Sequence, residues 1–159
     1  MKQFTVTPIG VIHTPFKEAG GTPIQSAFAE GVEGVVEVFE EYVPGLKDVD
    51  GFERLWLVYW FDRVAGHKLH VTPYMDTQPR GLFATRAPSR PNPIGMSPVK
   101  LDRIEGNKLY IRDADMLDGT PLLDIKPYSP KLDYFEVSRS GWMDAVKEGS
   151  RTADERFHT

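Results

Sequence analysis

Several short stretches of this chain have the hydrophobic pattern of strands, and helical periodicity is scarce. Residues 4–13 alternate loosely around Pro8. Proline cannot donate to a sheet ladder, so this stretch predicts an edge strand or a bulge. Residues 34–42 read as a strand that places Val36, Val38 and Glu40 on one face and Val35, Glu37 and Phe39 on the other. The run Leu55-Trp-Leu-Val-Tyr-Trp-Phe61 is apolar throughout and predicts a strand buried on both faces. Residues 69–74 and 81–85 are shorter candidates. Residues 99–104 and 108–113 flank Glu105-Gly-Asn107, which predicts a hairpin turn. Residues 121–126 form a last short strand.

Helix signals are few. Residues 44–51 suit a single turn. Residues 138–157 carry Ser140 as a cap, then Trp142, Ala145 and Val146 at helical spacing. Many short strands punctuated by Gly and Pro predict a mostly β fold, a small barrel or a sandwich, with a few short helices. No internal repeat is visible. Residues 1–130 are expected to form one domain. Residues 131–159 turn polar and are expected to form a helical C-terminal extension rather than a domain.

Composition narrows the function classes. A chain of 159 residues is long enough for one domain with a sizeable core. It has no cysteine, which excludes disulfides and thiolate catalysis. No apolar run reaches membrane-spanning length, and Met1-Lys-Gln-Phe-Thr5 lacks the apolar core of a secretory signal. A cytoplasmic protein with no membrane partner is the expectation. His13, His67, His70 and His158 show no metal-ligand spacing, so no metal is expected. There is no glycine-rich dinucleotide fingerprint and no phosphate loop, which disfavours a Rossmann architecture. The net charge of −4 argues against a nucleic-acid partner, but the charges are segregated. Residues 80–103 hold Arg80, Arg86, Arg90, Lys100 and Arg103 against Asp102 alone. A basic segment on an acidic body can still steer an anionic ligand.

That segment contains the densest chemistry in the chain. Residues 86–95 read Arg-Ala-Pro-Ser-Arg-Pro-Asn-Pro-Ile-Gly. Proline fixes φ, and the residue before it is pushed to extended geometry, so a helix or central strand is excluded. A stiff loop loses little entropy when it orders around a ligand. Guanidinium forks suit carboxylate, phosphate or nucleobase recognition. The apolar flanks, Gly81-Leu-Phe-Ala84 before and Val99 and Leu101 after, favour a functional loop over a flexible connector. A second segment, Met116-Leu-Asp-Gly-Thr-Pro-Leu-Leu-Asp-Ile-Lys126, holds the turn dipeptide Asp118-Gly119. Asp118, Asp124 and Lys126-Pro-Tyr128 together exceed what a turn requires. Trp56, Tyr59, Trp60 and Phe61 suit either a base-stacking platform or a buried strand, and the core reading is preferred.

These segments carry a family resemblance. Ala84-Thr-Arg-x-x-x-Arg-Pro-Asn-Pro-Ile-Gly95, followed by Asp118-Gly-Thr-Pro-x-x-Asp-Ile-Lys-Pro-Tyr128, resembles the TrmO family (TsaA-like, YaeB/VirR). Ile9-Gly-Val-Ile-His-Thr-Pro-Phe-Lys17 and Gly51-Phe-x-x-Leu-Trp-Leu57 fit as well, and the likeness spans about residues 7–130. The family consists of S-adenosylmethionine-dependent tRNA methyltransferases with a β-barrel fold. The resemblance implies methyl transfer from S-adenosylmethionine to N6 of threonylcarbamoyladenosine, beside the anticodon of threonine tRNA. It also implies a homodimer with the cofactor site near the subunit interface. Longer bacterial members carry a further C-terminal domain, which this chain is expected to be without. Two other readings stand beside it: a cofactor-binding regulatory module, and a methyltransferase acting on another RNA or a small nucleoside.

Site residues follow from the resemblance and from what the cofactor offers. S-adenosylmethionine presents a carboxylate, an ammonium, a ribose diol and an adenine. Arg86 is the candidate for a charged contact to cofactor or substrate. Met96, just after Gly95, is expected to touch the cofactor through backbone or side chain. Asp115, Met116, Leu117, Asp118 and Gly119 form an expected cofactor loop, with Asp115 or Asp118 on the ribose or ammonium. Pro23, Ile24 and Gln25 form another; relatives often carry arginine where this chain has Ile24, which leaves backbone contacts there. His67 and Lys68 are a further expected cofactor segment. Arg90, Asn92 and Lys126 are candidates for the substrate side, Asn92 being equally suited to holding the turn. Asp124 and Tyr128 are the candidate proton acceptors.

Overall fold

Six antiparallel strands close into a barrel in the computed structural model, which describes residues 1–146 and Thr152. The barrel strands are β1 (Gly10–His13), β2 (Gly34–Val38), β3 (Arg54–Trp60), β6 (Ile94–Glu105), β7 (Lys108–Arg112) and β8 (Thr120–Pro127). They run in the order β1-β2-β7-β6-β3-β8, and β8 pairs back onto β1. Between β3 and β6 the chain forms a separate two-stranded ribbon, β4 (His70–Val71) and β5 (Arg80–Gly81). Of the two architectures that the strand pattern allows, barrel or sandwich, the barrel that the resemblance implies is the one that forms.

Side-chain period fills the barrel. Of the two faces of residues 34–42, the one with Val36 and Val38 points inward, joined by Ile12, Leu55, Leu57, Val99, Leu109, Ile111 and Leu122. The β6–β7 hairpin turns at Gly106-Asn107, with Glu105 opposite Lys108. Gly106 has a φ of 61°, where a residue with a Cβ is strained.

Several elements differ from the sequence pattern. The strand expected over residues 4–13 begins only at Gly10, because Pro8 cannot supply a ladder N–H. β3 is buried on one face, not two: Leu55, Leu57 and Tyr59 face the core, while Trp56, Val58 and Trp60 are half-buried outside. Trp56 meets Tyr128 there, ring centroids 5.8 Å apart. β6 starts at Ile94 and runs through Pro98, although proline argued for a later start. The missing N–H is tolerated because β6 pairs with β7 only from Lys100 onward, so that edge of residues 94–99 is free of the barrel ladder. Residues 81–85 are strand only at Gly81, after which Leu82–Ala84 forms a 3-10 turn. The turn expected at 44–51 is two 3-10 pieces, Glu40–Leu46 and Val49–Gly51.

In the extension, Pro130–Asp133 is one turn of α-helix and Gly141–Ala145 one 3-10 turn. Ser140 does not cap with its side chain; the Asp144 carboxylate accepts from the Ser140 N–H at 2.9 Å. The rest of the expected 138–157 helix lies outside the described residues, apart from Thr152, which bridges to Pro23.

Candidate functional site

At one end of the barrel, loops from several parts of the chain surround a cleft of about 610 Å³. That volume suits a nucleoside-sized ligand. The walls come from Thr22-Pro-Ile-Gln25, residues 68–79, residues 85–90 and Asp115-Met-Leu117, with the ends of β3 and β6 beneath. A small apolar cluster under the loops, Ala19 and Leu117 with Phe16, Ile24, Val64 and Tyr74, holds them to the barrel.

The floor is a buried polar chain. Ser97 Oγ donates to Asp115 Oδ1 at 2.6 Å and lies 2.9 Å from Tyr59 Oη. Gly95 is part of this construction. A Cβ there would stand 2.3 Å from the Tyr59 ring and 2.9 Å from Phe61. Only glycine lets Tyr59 lie flat against β6. Burial, and secondarily the Asp115 charge, pushes the Tyr59 phenol well above its ordinary range. Burial likewise pushes the Asp115 carboxyl up to about 6, against the pull of the Ser97 hydroxyl and the Arg86 charge. Folded Asp115 therefore holds its proton more tightly than the unfolded chain does. Its contribution to stability is favourable at low pH and is lost as pH rises from near 3.8 through about 6.

Arg86 stands over this floor at the rim. Its Nη1 donates to Gln25 Oε1 at 2.6 Å, which ties two walls together and presents the rest of the guanidinium to the cleft. Arg90 also lines the cleft, but its Nη1 donates to the carbonyls of Thr85 (2.9 Å), Ala87 (3.3 Å) and Leu82 (3.4 Å). That guanidinium organises the proline-rich loop from within, and it lies 5.8 Å from the Phe83 ring centroid.

The structure gathers Pro23, Ile24, Gln25, Lys68, Arg86, Arg90, Met96, Asp115, Met116 and Leu117 around one cavity. It does not place the other candidates there. His67 is exposed beside Gly66, and His70 lines the cleft in its stead. Asp118 turns toward the first loop, where it accepts from Lys17 Nζ and from the Thr14 N–H. The Lys17 contact, above all, holds the Asp118 carboxyl below its usual range. Gly119 supplies the left-handed turn residue behind it. Of the two acids offered for ribose or ammonium, Asp115 lines the cleft and Asp118 does not. Asn92 is exposed in the turn before β6. Asp124 and Tyr128, the candidate proton acceptors, do not line this cleft. Asp124 lies on β8 opposite Val58, paired with Lys126 at 2.9 Å, and borders a second cavity at the Tyr42–Phe52 side of the barrel. Tyr128 packs on Trp56. Lys126, committed to Asp124, is likewise outside the cleft.

The basic window of residues 80–103 is also divided. β6 carries Arg103 roughly 30 Å along the strand from Ile94. There it bonds Glu105 at 2.9 Å and covers Tyr110. Arg80 pairs with Asp76 at 2.7 Å. Cationic groups at the cleft instead include Arg63 and Lys68 from another loop. Arg63 donates to the carbonyls of Lys17 and Asp118, locking the first loop to the Asp118 turn. Nothing in its sequence setting announced it. Ser97 did leave a signal: it is a lone polar residue in the inward register of Gly95, Val99 and Leu101. Among the described residues no group of three or more metal-ligating side chains assembles, and no helix is long and apolar enough to cross a membrane.

Comparisons with known proteins agree on a lineage. The family model described as tRNA-methyltransferase O N-terminal domain matches residues 11–134. A probable S-adenosyl-L-methionine-binding protein of Pyrococcus abyssi is 55% identical over 137 residues, which cover 86% of this chain and 74% of that one. The mouse tRNA (adenine(37)-N6)-methyltransferase is 34% identical over 134 residues, covering 79% of this chain and 31% of the mouse protein. The crystal structure of TrmO from Pseudomonas aeruginosa superposes with a TM-score of 0.74 at 34% identity, over 89% of this chain. The chain spans 63% of the length of that structure.

Proposed function

Because this chain belongs to the tRNA-methyltransferase O N-terminal domain family, we propose that it binds S-adenosylmethionine in the loop cleft and methylates tRNA. The methyl acceptor in this reading is N6 of threonylcarbamoyladenosine next to the anticodon of threonine tRNA. The observation that carries it is the convergence of opposite charges on a single cavity: Arg86 at the rim, the buried Asp115 carboxyl on the floor. A zwitterionic ligand that also bears a sulfonium charge needs both signs in one site. Bound S-adenosylmethionine supplies an electrophilic methyl carbon. The chain's own residues then bind and orient. Arg86, braced by Gln25, holds a carboxylate through its planar fork. Asp115, braced by Ser97, faces the cationic portion. Apolar Ile24, Tyr74 and Met116 exclude water from the reacting centre. Positioning of two reactants in line is the main task left to the protein.

The decisive experiment is methyl transfer from labelled cofactor to tRNA from cells with or without the threonylcarbamoyl modification. Transfer only to modified tRNA is the expected result. Cofactor binding without any transfer would instead favour a regulatory module, and transfer to unmodified RNA a different acceptor. In the same preparation, calorimetry is expected to give micromolar affinity that weakens about tenfold between pH 7.5 and pH 5. The sign follows from Asp115: a cationic ligand prefers the carboxylate, which protonates near 6. Asp115→Asn should flatten that profile, and an unchanged pH dependence in this variant would count against its role.

Assembly as a homodimer belongs to the same reading. On the outer surface of β3 and β6, Trp56 lies beside Pro98, Val58 beside Met96 and Trp60 beside Ile94. Such a stripe suits a self-complementary twofold contact, next to the cleft that Ile94 and Met96 also border. Light scattering should return twice the chain mass of 18.0 kDa; the monomer mass at micromolar concentration would reject it.

A further inference from the structure

The C-terminal extension reaches the cleft. Trp142 and Met143 line it although they lie beyond residue 134, where the family match ends. Two contacts fasten Trp142 to the rim. Its indole Nε1 donates to the Ala84 carbonyl at 2.8 Å, one turn ahead of Arg86. The Arg80 guanidinium sits 5.7 Å from the indole centroid, itself held by Asp76. The Asp144 carboxylate closes the local turn on the Ser140 N–H. Farther on, Thr152 bridges to Pro23 on the wall that carries Gln25. The extension is thus attached to both walls that the Arg86–Gln25 bond joins.

We propose that residues 140–146 form a strap that completes the ligand cleft, with Trp142 as the residue that retains the bound purine. The inference rests on the cofactor reading given above and deepens it. An indole offers a planar apolar face to a purine, and Met143 places a polarizable thioether beside it. Neither residue belongs to a barrel core cluster, so the strap is an addition to a fold that closes without it. Trp142 is also the cleft's tryptophan; Trp56 and Trp60 lie on the outer face of β3.

The test uses the full chain. Trp142→Ala should leave the melting temperature close to wild type, raise the S-adenosylmethionine Kd about tenfold and speed its release by a similar factor. Trp142→Phe keeps an aromatic wall, so it should bind within about threefold of wild type. It should also lose most of the fluorescence change that ligand produces in the wild type. Unaltered affinity and release in the alanine variant, or an undiminished fluorescence response in the phenylalanine variant, would overturn the strap and leave the cofactor reading intact. A wild-type chain that binds no S-adenosylmethionine by calorimetry would overturn both.

Discussion

Arg86→Ala is expected to lower kcat/KM for methyl transfer by about 2–4 kcal/mol, roughly 30- to 1,000-fold. The residue opens the proline-rich loop, is braced by Gln25 and presents the remaining donors to the cleft. The loss should appear with little change in thermal stability, because the side chain is exposed and outside the core clusters. Arg86→Lys should recover little, since one ammonium cannot both hold Gln25 and fork onto a carboxylate. Gln25→Ala removes only the brace and should cost less. Wild-type turnover in the Arg86→Ala variant would reduce the loop to a structural feature.

Gly95→Ala should be strongly destabilising. The added Cβ would lie 2.3 and 2.6 Å from two atoms of the Tyr59 ring. Tyr59 cannot swing aside freely, because it is buried and its hydroxyl is tied to Ser97. Either β6 shifts from β3 or the Tyr59–Ser97–Asp115 chain breaks. Overpacking of this kind costs about 3 kcal/mol, which for a chain of this size lowers the melting temperature by roughly 6–12 °C. Ligand binding should fall with it, since Asp115 loses its support. Gly20→Ala is the matched control, because a Cβ there meets nothing within 4 Å. Equal melting temperatures for the two variants would show that β6 has slack that the packing does not suggest.

What could be foreseen from the chain depended on which interactions are local. The many short strands were legible in the sequence pattern, which left a barrel or a sandwich open; the family resemblance pointed to the barrel. The turn at Glu105-Gly-Asn107 is local too, and it forms. Burial on one side of β3 was not legible, because Trp56 and Trp60 look like core residues to any hydrophobic pattern. Pro98 misled for a different reason: whether its missing N–H matters depends on where β7 stops pairing, a nonlocal fact. Charge along the sequence was a poor guide to charge in space. A long strand separates Arg103 from Arg86, while Arg63 arrives at the cleft from another loop. Asp115 and Asp118 looked equivalent until Lys17, about a hundred positions away, occupied one of them. The spacing of Trp142 suits a helix face, and only the folded chain shows that it reaches the cleft.

Barrel closure by β8 has a consequence for how the chain is made. β8 is the last barrel strand synthesised, yet it supplies partners to both β1 and β3. Until it emerges from the ribosome, those two strands have unsatisfied edges, the state in which nascent β proteins aggregate. Pairing of Gly10 with Leu122 closes a loop that spans most of the domain, and such distant pairings slow folding. Asp115 precedes β8 by only a few residues, so the cleft floor and the barrel seam are completed together. A stalled or truncated chain ending before residue 120 would therefore lack both the strand that closes the barrel and a finished cleft floor.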